Sequence, residues 1–412
     1  MSKCLRGAKR AAAIAISVTI ALSSTVPPAA IAGASALGAV PLSANPGLPA
    51  INVSTDTIYV PIQTGGVEVV NGARCNAQVS DGCSVVATIP TLESLAAAVD
   101  ASTNTAYAMS GNDVWVIDGA RCNGTMTSGC SKEIGTITTG GGVVALAVDP
   151  LTRSLYMASL NGAIFVADVA KCNRLTTSGC SAPVKKIKNP GGPAALAVDM
   201  KTDTVYAAND GFCAGTTNST DCESGTGDTV SVIDGARCNG SVSTGCRRKP
   251  ALIKVGEGAD WTEVDQATGT LYITSYLAGT VSVIDGARCN ARVTSACDRP
   301  SAVLNMGAGA GYVALDSPLH TLFTLNTESD TLAETNVVTC NGKVTSGCAT
   351  KPLSQQAAPM LGAYAEPTPN AGVLDPQTAT LYVVCVGGGL FMNVVDVSRC
   401  SSVGTSGCSS ST

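Results

Sequence analysis

The chain of 412 residues is 45% hydrophobic, but only 4% of its residues are aromatic and 13% are charged. Its formal net charge of −5 provides no basic field, which argues against a nucleic-acid partner held through phosphate contacts. The length would accommodate two or three ordinary domains, but an internal repeat covers nearly everything after residue 40 and predicts a single domain.

The N-terminal segment has the pattern of a secretion signal. An apolar stretch over residues 11–22 follows four basic residues, Lys3, Arg6, Lys9 and Arg10. Ala30 and Ala32 then match the small residues of a cleavage site. A membrane anchor is the alternative, but serines and prolines interrupt the apolar stretch. We therefore expect residues 1–32 to be a signal peptide and the mature protein to be secreted or in the cell envelope, not integral to a membrane.

Each repeat predicts four short strands in the same order. A first apolar run ends in Val-Asp or Leu-Asp, and an aromatic residue follows seven positions later, as in Asp199 and Tyr206. Turn residues between the two predict a hairpin. An alternating run such as Val-Ser-Val-Ile-Asp predicts a third strand, and a fourth run follows a cysteine-containing loop. In the first repeat, Asn52 and Tyr59 occupy the Asp and aromatic positions.

Seven such repeats predict twenty-eight strands and no convincing helix. The predicted fold class is all-β, a seven-bladed β-propeller with four antiparallel strands per blade and only short, protected sheet edges. The last repeat lacks a fourth strand, while a spare apolar segment, residues 36–42, precedes the first repeat. We therefore expect residues 33–412 to form one propeller in which segment 36–42 supplies the outer strand of the last blade.

The loop between the third and fourth strands carries two cysteines, eight residues apart, in every repeat. Regularly spaced cysteines in an exported chain predict disulfides, each contributing about 2.5 kcal/mol in the chain-entropy model. The predicted pairs are Cys75–Cys83, Cys122–Cys130, Cys172–Cys180, Cys238–Cys246, Cys289–Cys297, Cys340–Cys348 and Cys400–Cys408, with an additional pair, Cys213–Cys222.

Zinc binding and redox switching are the alternatives to structural disulfides. A zinc site would need four converging ligands, and the chain has one histidine and no Cys-x-x-Cys sequence. Redox switching would need exposed, activated thiols, for which only the Arg or Lys before the first cysteine of most pairs provides a cationic neighbour. Cys385 falls in the second strand of the last blade, where we expect a buried, inert thiol.

Residues 198–209 (VDMKTDTVYAAN) and the segment TVSVIDG, at 229–235 and 280–286, resemble the YVTN-type propeller repeat of the YncE-like proteins of bacterial envelopes. The resemblance extends over essentially the whole mature chain. It implies the propeller fold but little about activity, because members of this family are mostly binding or uncharacterised proteins. The cysteine pair is an addition to that repeat, and no family role is assigned to it.

Catalytic motifs are scarce. The sole histidine, His320, falls in a predicted hairpin turn, where we expect an exposed residue, and Gly-x-Ser-x-Gly is absent. Gly307, Gly309 and Gly311 resemble a nucleotide-binding loop superficially, but no helix follows them. We expect no catalytic residue, no cofactor and no metal.

A binding site is predicted where the repeats differ. Two positions on one face of each first strand, counted back from its Asp, carry mostly alanine. In the fifth repeat they are Trp261 and Glu263, with Glu257 and Asp260 upstream and Tyr312 in the next repeat. An aromatic wall with carboxylates predicts a small-ligand or cation site. The alternative is that these side chains only fill a gap in the central channel.

The fourth repeat carries an acidic insertion, residues 211–227, between its second and third strands. This connection lies on the face opposite the cysteine loops, and Cys213–Cys222 would hold it as a compact lobe. We expect a solvated loop, with recognition as the functional alternative.

The sequence favours an exported, non-catalytic propeller that binds a protein, a glycan or a small ligand through the face bearing this insertion. One alternative is a hydrolase or lyase, similar to propeller lactonases, that works through the carboxylates near Trp261. Another is a structural component of the cell wall or spore coat. A monomer is expected, and the sequence does not identify its partner.

Overall fold

The computed structural model describes residues 35–159, 161–189, 191–211, 227–329, 331–348, 354–357, 367–387 and 390–398. Within them the chain forms twenty-eight strands in seven four-stranded antiparallel sheets, and one short 3-10 turn, Gly72–Arg74. The predicted seven-bladed β-propeller is therefore confirmed. The predicted signal peptide, the pairs Cys213–Cys222 and Cys400–Cys408, and most of the insertion at 211–227 lie outside the described residues.

The strands follow the predicted order, from the propeller axis outwards in each blade. Strand β1 (Ser35–Pro41) precedes blade one. Blade one contains β2 (Ala50–Asn52), β3 (Thr57–Pro61), β4 (Val67–Asn71) and β5 (Val85–Ile89). Blade two contains β6 (Ala97–Asp100), β7 (Thr105–Ser110), β8 (Asp113–Asp118) and β9 (Gly135–Thr138). Blade three contains β10 (Val143–Asp149), β11 (Ser154–Ser159), β12 (Ala163–Asp168) and β13 (Lys185–Lys188).

The remaining blades repeat this arrangement. Blade four contains β14 (Pro193–Asp199), β15 (Thr204–Asn209), β16 (Thr229–Asp234) and β17 (Ala251–Lys254). Blade five contains β18 (Ala259–Asp265), β19 (Thr270–Ser275), β20 (Thr280–Asp285) and β21 (Ala302–Asn305). Blade six contains β22 (Ala310–Asp316), β23 (Thr321–Asn326), β24 (Thr331–Asn336) and β25 (Ser354–Ala357). Blade seven contains β26 (Pro367–Asp375), β27 (Thr380–Gly387), β28 (Phe391–Asp396) and, outermost, β1.

Blade seven combines strands from the two ends of the described chain. Strand β1 pairs antiparallel with β28, so that Val40 lies opposite Met392, and both side chains are fully buried. Leu42 N continues the contact by donating to the Leu390 carbonyl at 2.8 Å. Because separating the first and last blades would break this ladder, the pairing closes the ring.

An Asp-capped turn joins the first and second strands of a blade. In blade two, Asp100 Oδ1 accepts from the Ser102 N–H at 3.0 Å, and Asp100 Oδ2 accepts from Thr103 Oγ1 at 2.8 Å. Four residues after the Asp position the backbone turns to positive φ, 53° at Asn104 and 50° at His320. The side-chain cap provides the hydrogen bonds that hold this conformation in a non-glycine residue. His320 is exposed in its turn, as predicted.

Six of the predicted disulfides close the loops between third and fourth strands, namely Cys75–Cys83, Cys122–Cys130, Cys172–Cys180, Cys238–Cys246, Cys289–Cys297 and Cys340–Cys348. The first cysteine of each pair is buried at the base of its loop. Cys385 is buried in β27, as predicted, where Asn393 Nδ2 donates to its sulfur at 3.3 Å.

Each described cysteine loop is also held by the preceding blade, through a contact that we call the inter-blade latch. Its first part is the strand-two tyrosine, whose hydroxyl donates to the carbonyl of the next blade's first cysteine; Tyr107 reaches Cys172 O at 2.9 Å. Its second part is the hydroxyl two residues earlier, which accepts from the loop backbone; Thr105 Oγ1 accepts from Arg174 N at 2.9 Å. The Asp-to-aromatic spacing therefore positions a contact between blades as well as a hairpin.

The latch recurs around the ring. The other tyrosine contacts are Tyr59 to Cys122 O at 2.6 Å, Tyr156 to Cys238 O at 2.8 Å, Tyr206 to Cys289 O at 2.6 Å, Tyr272 to Cys340 O at 2.9 Å and Tyr382 to Cys75 O at 2.7 Å. The last of these joins blade seven to blade one. Blade six has Phe323 at this position, which has no hydroxyl to donate.

Candidate functional site

The innermost strands are lined mostly by small side chains, but blades five and six are different. Ala145, Ala195 and Ala371 occupy the position that Trp261 takes in β18 and Tyr312 takes in β22. The Trp261 and Tyr312 rings pack with their centroids 4.7 Å apart and their planes tilted by 46°. Tyr312 is only 6% exposed, so it forms a fixed support behind the indole.

A β-bulge sets the direction of Trp261. Ala259 pairs with Ser275 and Thr262 pairs with Ile273, so Asp260 and Trp261 together face the single residue between the two partners. Within the bulge, Trp261 N donates to the side chain of Thr274, at 2.9 Å from its Oγ1. A bulge re-aims the side chains that follow it. Here, Trp261 and Glu263 lie on the same side of β18.

A cavity of about 560 Å³ lies at the carboxyl ends of the innermost strands of blades two to five. Its apolar walls include Ala147, Leu196 and Met200, and its polar lining includes Asp100, Glu263 and Gln266. Trp261 also lines it. The cavity therefore lies at the end of the propeller that carries the Asp-capped turns. The cysteine loops lie at the same end, because the first and third strands of a blade run in the same direction.

The predicted site residues are distributed unevenly around this cavity. Trp261 and Glu263 line it, and Tyr312 supports Trp261 from behind. Asp260 is buried, 7% exposed, and is not part of the lining. Glu257 is exposed and precedes the amino end of β18, whereas Glu263 lies near its carboxyl end and Glu257 is not part of the cavity lining. The structure thus brings together three of the five predicted residues and separates Glu257 from them.

Glu263 and Asp100 are the two carboxylates that line the cavity, and they differ in their hydrogen bonds. Among the described residues Glu263 has no hydrogen-bond partner, whereas both carboxylate oxygens of Asp100 accept bonds within the turn. Burial raises the pKa of Glu263 to about 7, and the nearby carboxylate of Asp265 adds to the shift. Burial and the charge of Glu263 also raise the pKa of Tyr312, which keeps its phenol neutral. Near neutral pH, Glu263 can therefore exchange a proton.

Gln266 is a cavity residue that the sequence comparison did not select. Its Nε2 donates to the Val198 carbonyl at 2.7 Å, and its Oε1 accepts from Met200 N at 3.2 Å. These bonds join the blade-five turn to the end of β14 and fix one side of the cavity. In the sequence, only its position distinguishes Gln266. It directly follows the Asp of its turn, where most other repeats have Ala, Pro, Met or Ser.

Two further properties concern the described part of the chain as a whole. It contains no helix long and apolar enough to cross a membrane. It also contains no group of three or more His, Cys, Asp or Glu side chains arranged to hold a metal ion.

Comparisons with solved structures support the class of protein that the fold defines, a seven-bladed β-propeller. The β-propeller domain of Myceliophteria thermophila Cps50 (Swd1) matches with a TM-score of 0.61 at 9% identity, over 89% of this chain and 100% of that domain. A chain of the mitotic checkpoint complex also matches with a TM-score of 0.61, at 11% identity, over 92% of this chain and 98% of its own length. At such identities the likeness concerns the fold alone.

No family model matches the sequence, and no curated protein is significantly similar to it. The membership of the YVTN-repeat, YncE-like family that the repeat motifs predict therefore stays a prediction.

Proposed function

We propose that the protein is an exported, non-catalytic β-propeller that binds a small ligand in the cavity between blades two and five. The observation that carries the proposal is the replacement of the usual alanines by Trp261 and Glu263 in that cavity. Its volume of about 560 Å³ falls within the range of small-molecule sites, about 300–1,000 Å³. An apolar cavity with a few polar groups is the usual composition of such a site.

The rest of the propeller suits this role. Six disulfides indicate an oxidising environment, in agreement with export. The latches and Gln266 attach each wall of the cavity to its neighbour. Because such a site is already ordered, ligand binding loses less free energy to the ordering of side chains and loops. The proposed site lies at the opposite end of the propeller from Gly211 and Gly227, the described residues that flank the insertion, so the predicted role of that insertion in binding is a separate proposal.

Tryptophan fluorescence provides a direct test, because the chain has only two tryptophans, Trp115 and Trp261. In the Trp115→Phe variant the emission comes from Trp261 alone. We expect a saturable change in emission with at least one member of a panel of choline, glucose, N-acetylglucosamine, hexanoate and benzyl alcohol. The matched control, Trp261→Phe, retains Trp115 and should not respond. No response across the panel, or normal binding by a Trp261→Ala, Glu263→Ala double variant in calorimetry, would contradict the proposal.

A hydrolase or lyase is the second candidate, and the pKa of Glu263 favours it. A carboxyl group that titrates near 7 is suited to general acid–base catalysis at neutral pH. The test is a screen of the secreted protein against lactones, esters and glycosides. Turnover that Glu263→Gln abolishes would establish catalysis and overturn the non-catalytic assignment.

A further inference from the structure

We propose that the ligand of this cavity is an organic cation, a substituted ammonium ion that pairs with the Glu263 carboxylate and lies against the Trp261 ring. The inference rests on the proposed function, because it requires a ligand in the cavity, and it adds the chemical class of that ligand.

Charge is the first argument. Glu263 is accompanied by a buried Asp at the carboxyl end of every innermost strand from blade two to blade seven, namely Asp100, Asp149, Asp199, Asp265, Asp316 and Asp375. Because successive side chains of a strand point to opposite faces, each of these Asp residues lies on the same side of its strand as the residue two positions earlier, which is Glu263 in blade five and alanine in most other blades. Among the described residues, no Lys, Arg or His lines the cavity. The nearest cation in sequence to a lining residue is Lys201, whose Nζ donates to the Ala267 carbonyl at 3.0 Å.

The surroundings of Glu263 are the second argument. A carboxylate in an apolar cavity is costly unless a donor or a counter-ion accompanies it. The described residues supply neither to Glu263, and the nearby carboxylate of Asp265 adds repulsion. A ligand that carries a positive charge removes this cost, whereas an anion increases it. A neutral ligand leaves it unchanged, unless it donates a hydrogen bond.

The aromatic wall is the third argument. An ammonium ion within about 6 Å of a tryptophan ring is attracted by its π-electrons, and the attraction grows when the site excludes water. Trp261 presents its indole to the cavity while Tyr312, buried behind it, holds the ring in place. A preformed ring and an adjacent carboxylate together match a substituted ammonium group, in which methyl groups surround the charge.

An inorganic cation fits less well. Calcium and magnesium require several oxygen ligands, and the described residues contain no group of three or more carboxylates, histidines or cysteines that could hold a metal. The walls formed by Ala147, Leu196 and Met200 offer apolar contact instead. Such contact stabilises the carbon groups of an organic cation.

The proposal predicts how binding depends on pH. The titratable groups on the strands packed around Glu263 are Asp260 and Asp265 on β18, Asp199 on β14, Tyr206 on β15, Tyr272 on β19, and Tyr312 and Asp316 on β22. None of these is a base that becomes positively charged. Because Glu263 has a pKa of about 7, a permanent cation should bind best above pH 7. Its affinity should fall by about tenfold for each pH unit below that value.

The test compares choline with its neutral isostere, 3,3-dimethylbutan-1-ol, and with the anion hexanoate, by isothermal titration calorimetry at pH 8. We expect choline to bind more tightly than the alcohol by about tenfold, and hexanoate not to bind. Glu263→Gln should reduce the affinity for choline to that for the alcohol. The control Glu93→Gln removes an exposed carboxylate before β6 and should change nothing. Titrations of the wild-type protein at pH 8, 7 and 6 need no variant and should give falling choline affinity.

The outcomes separate this inference from the proposed function. Equal binding of choline and the alcohol, tighter binding of hexanoate, or choline binding that depends on neither Glu263 nor pH would overturn the cation assignment. If a neutral or anionic compound alone changes the Trp261 emission, the cavity is still a ligand site and only the ligand class is wrong. If no compound of either experiment binds, both proposals fail.

Discussion

The cysteine loops at the rim and the innermost strands at the axis come from the same repeats, but they differ in regularity. All six described disulfide loops receive a tyrosine hydroxyl from the preceding blade, at distances between 2.6 and 2.9 Å. At the axis, by contrast, Trp261, Glu263 and Tyr312 replace small residues in two adjacent blades. The rim must make the same contact at each blade interface, whereas the axis is free to differ.

This contrast suggests that recurrent residues and non-recurrent residues have different roles. A residue type that recurs in every repeat serves the ring, because each copy satisfies the same local packing and hydrogen-bonding need. A large or charged residue at a position that most repeats fill with alanine needs a separate reason. The cavity beside Trp261 and Glu263 supplies such a reason.

The largest effect is expected from opening the ring. Deleting residues 33–44 removes β1 and exposes the edge of β28, including the buried Met392. We expect the melting temperature to fall by about 10 °C or more relative to a chain that starts at residue 33. Thermal unfolding followed by circular dichroism measures this. An unchanged transition would mean that β1 contributes little to closure.

Much of the fold was predictable because its signals are periodic. The Asp-to-aromatic spacing and the cysteine spacing gave the hairpins, the strand order and six disulfides. The latch between Tyr206 and Cys289 was not predictable, because these residues are 83 positions apart and meet only when two blades pack. The two first-strand positions that Trp261 and Glu263 occupy stand out in the sequence because most other repeats have alanine there. The sequence did not show that Glu257 lies outside the cavity. Its position depends on where β18 begins and on the end of the strands at which the cavity lies.

The next largest effect concerns a single disulfide at the rim. Replacing Cys289 and Cys297 by serine should lower the free energy of unfolding by about 2.5 kcal/mol, since the open loop gains entropy mainly in the unfolded chain. Urea denaturation measures the loss. Ser295→Ala, an exposed change in the same loop, is the matched control and should be close to neutral. Peptide mapping without reduction that found these sulfurs as thiols would remove the basis of this prediction.

At the axis, Glu263→Gln should stabilise the protein at high pH. The folded-state pKa of about 7 lies above the ordinary value of 4.5, so folded Glu263 keeps its proton longer than the unfolded chain does. Wild-type stability should therefore fall as the pH rises from about 4.5 to 7, while the glutamine variant does not share this loss. At pH 8 the variant should be more stable by about 3 kcal/mol, with a smaller difference at pH 5.

Urea denaturation of both proteins at pH 5 and pH 8 checks this. A difference that is the same at both pH values would show that Glu263 titrates normally in the folded protein. That result would also weaken the case for a costly, unaccompanied carboxylate in the cavity.

The smallest effect is expected from one latch. Tyr206→Phe removes the hydroxyl that donates to the Cys289 carbonyl but keeps the ring, which is the state that blade six already has with Phe323. Because the buried carbonyl loses its partner, we expect a loss of about 1 kcal/mol in urea denaturation. Tyr276→Phe removes an exposed hydroxyl that donates to Glu328 Oε1 and is the matched control, expected within about 0.5 kcal/mol of wild type. Equal losses in the two variants would mean that the latch adds nothing beyond ring packing. The rim would then owe its regularity to the disulfides and the hairpin turns alone.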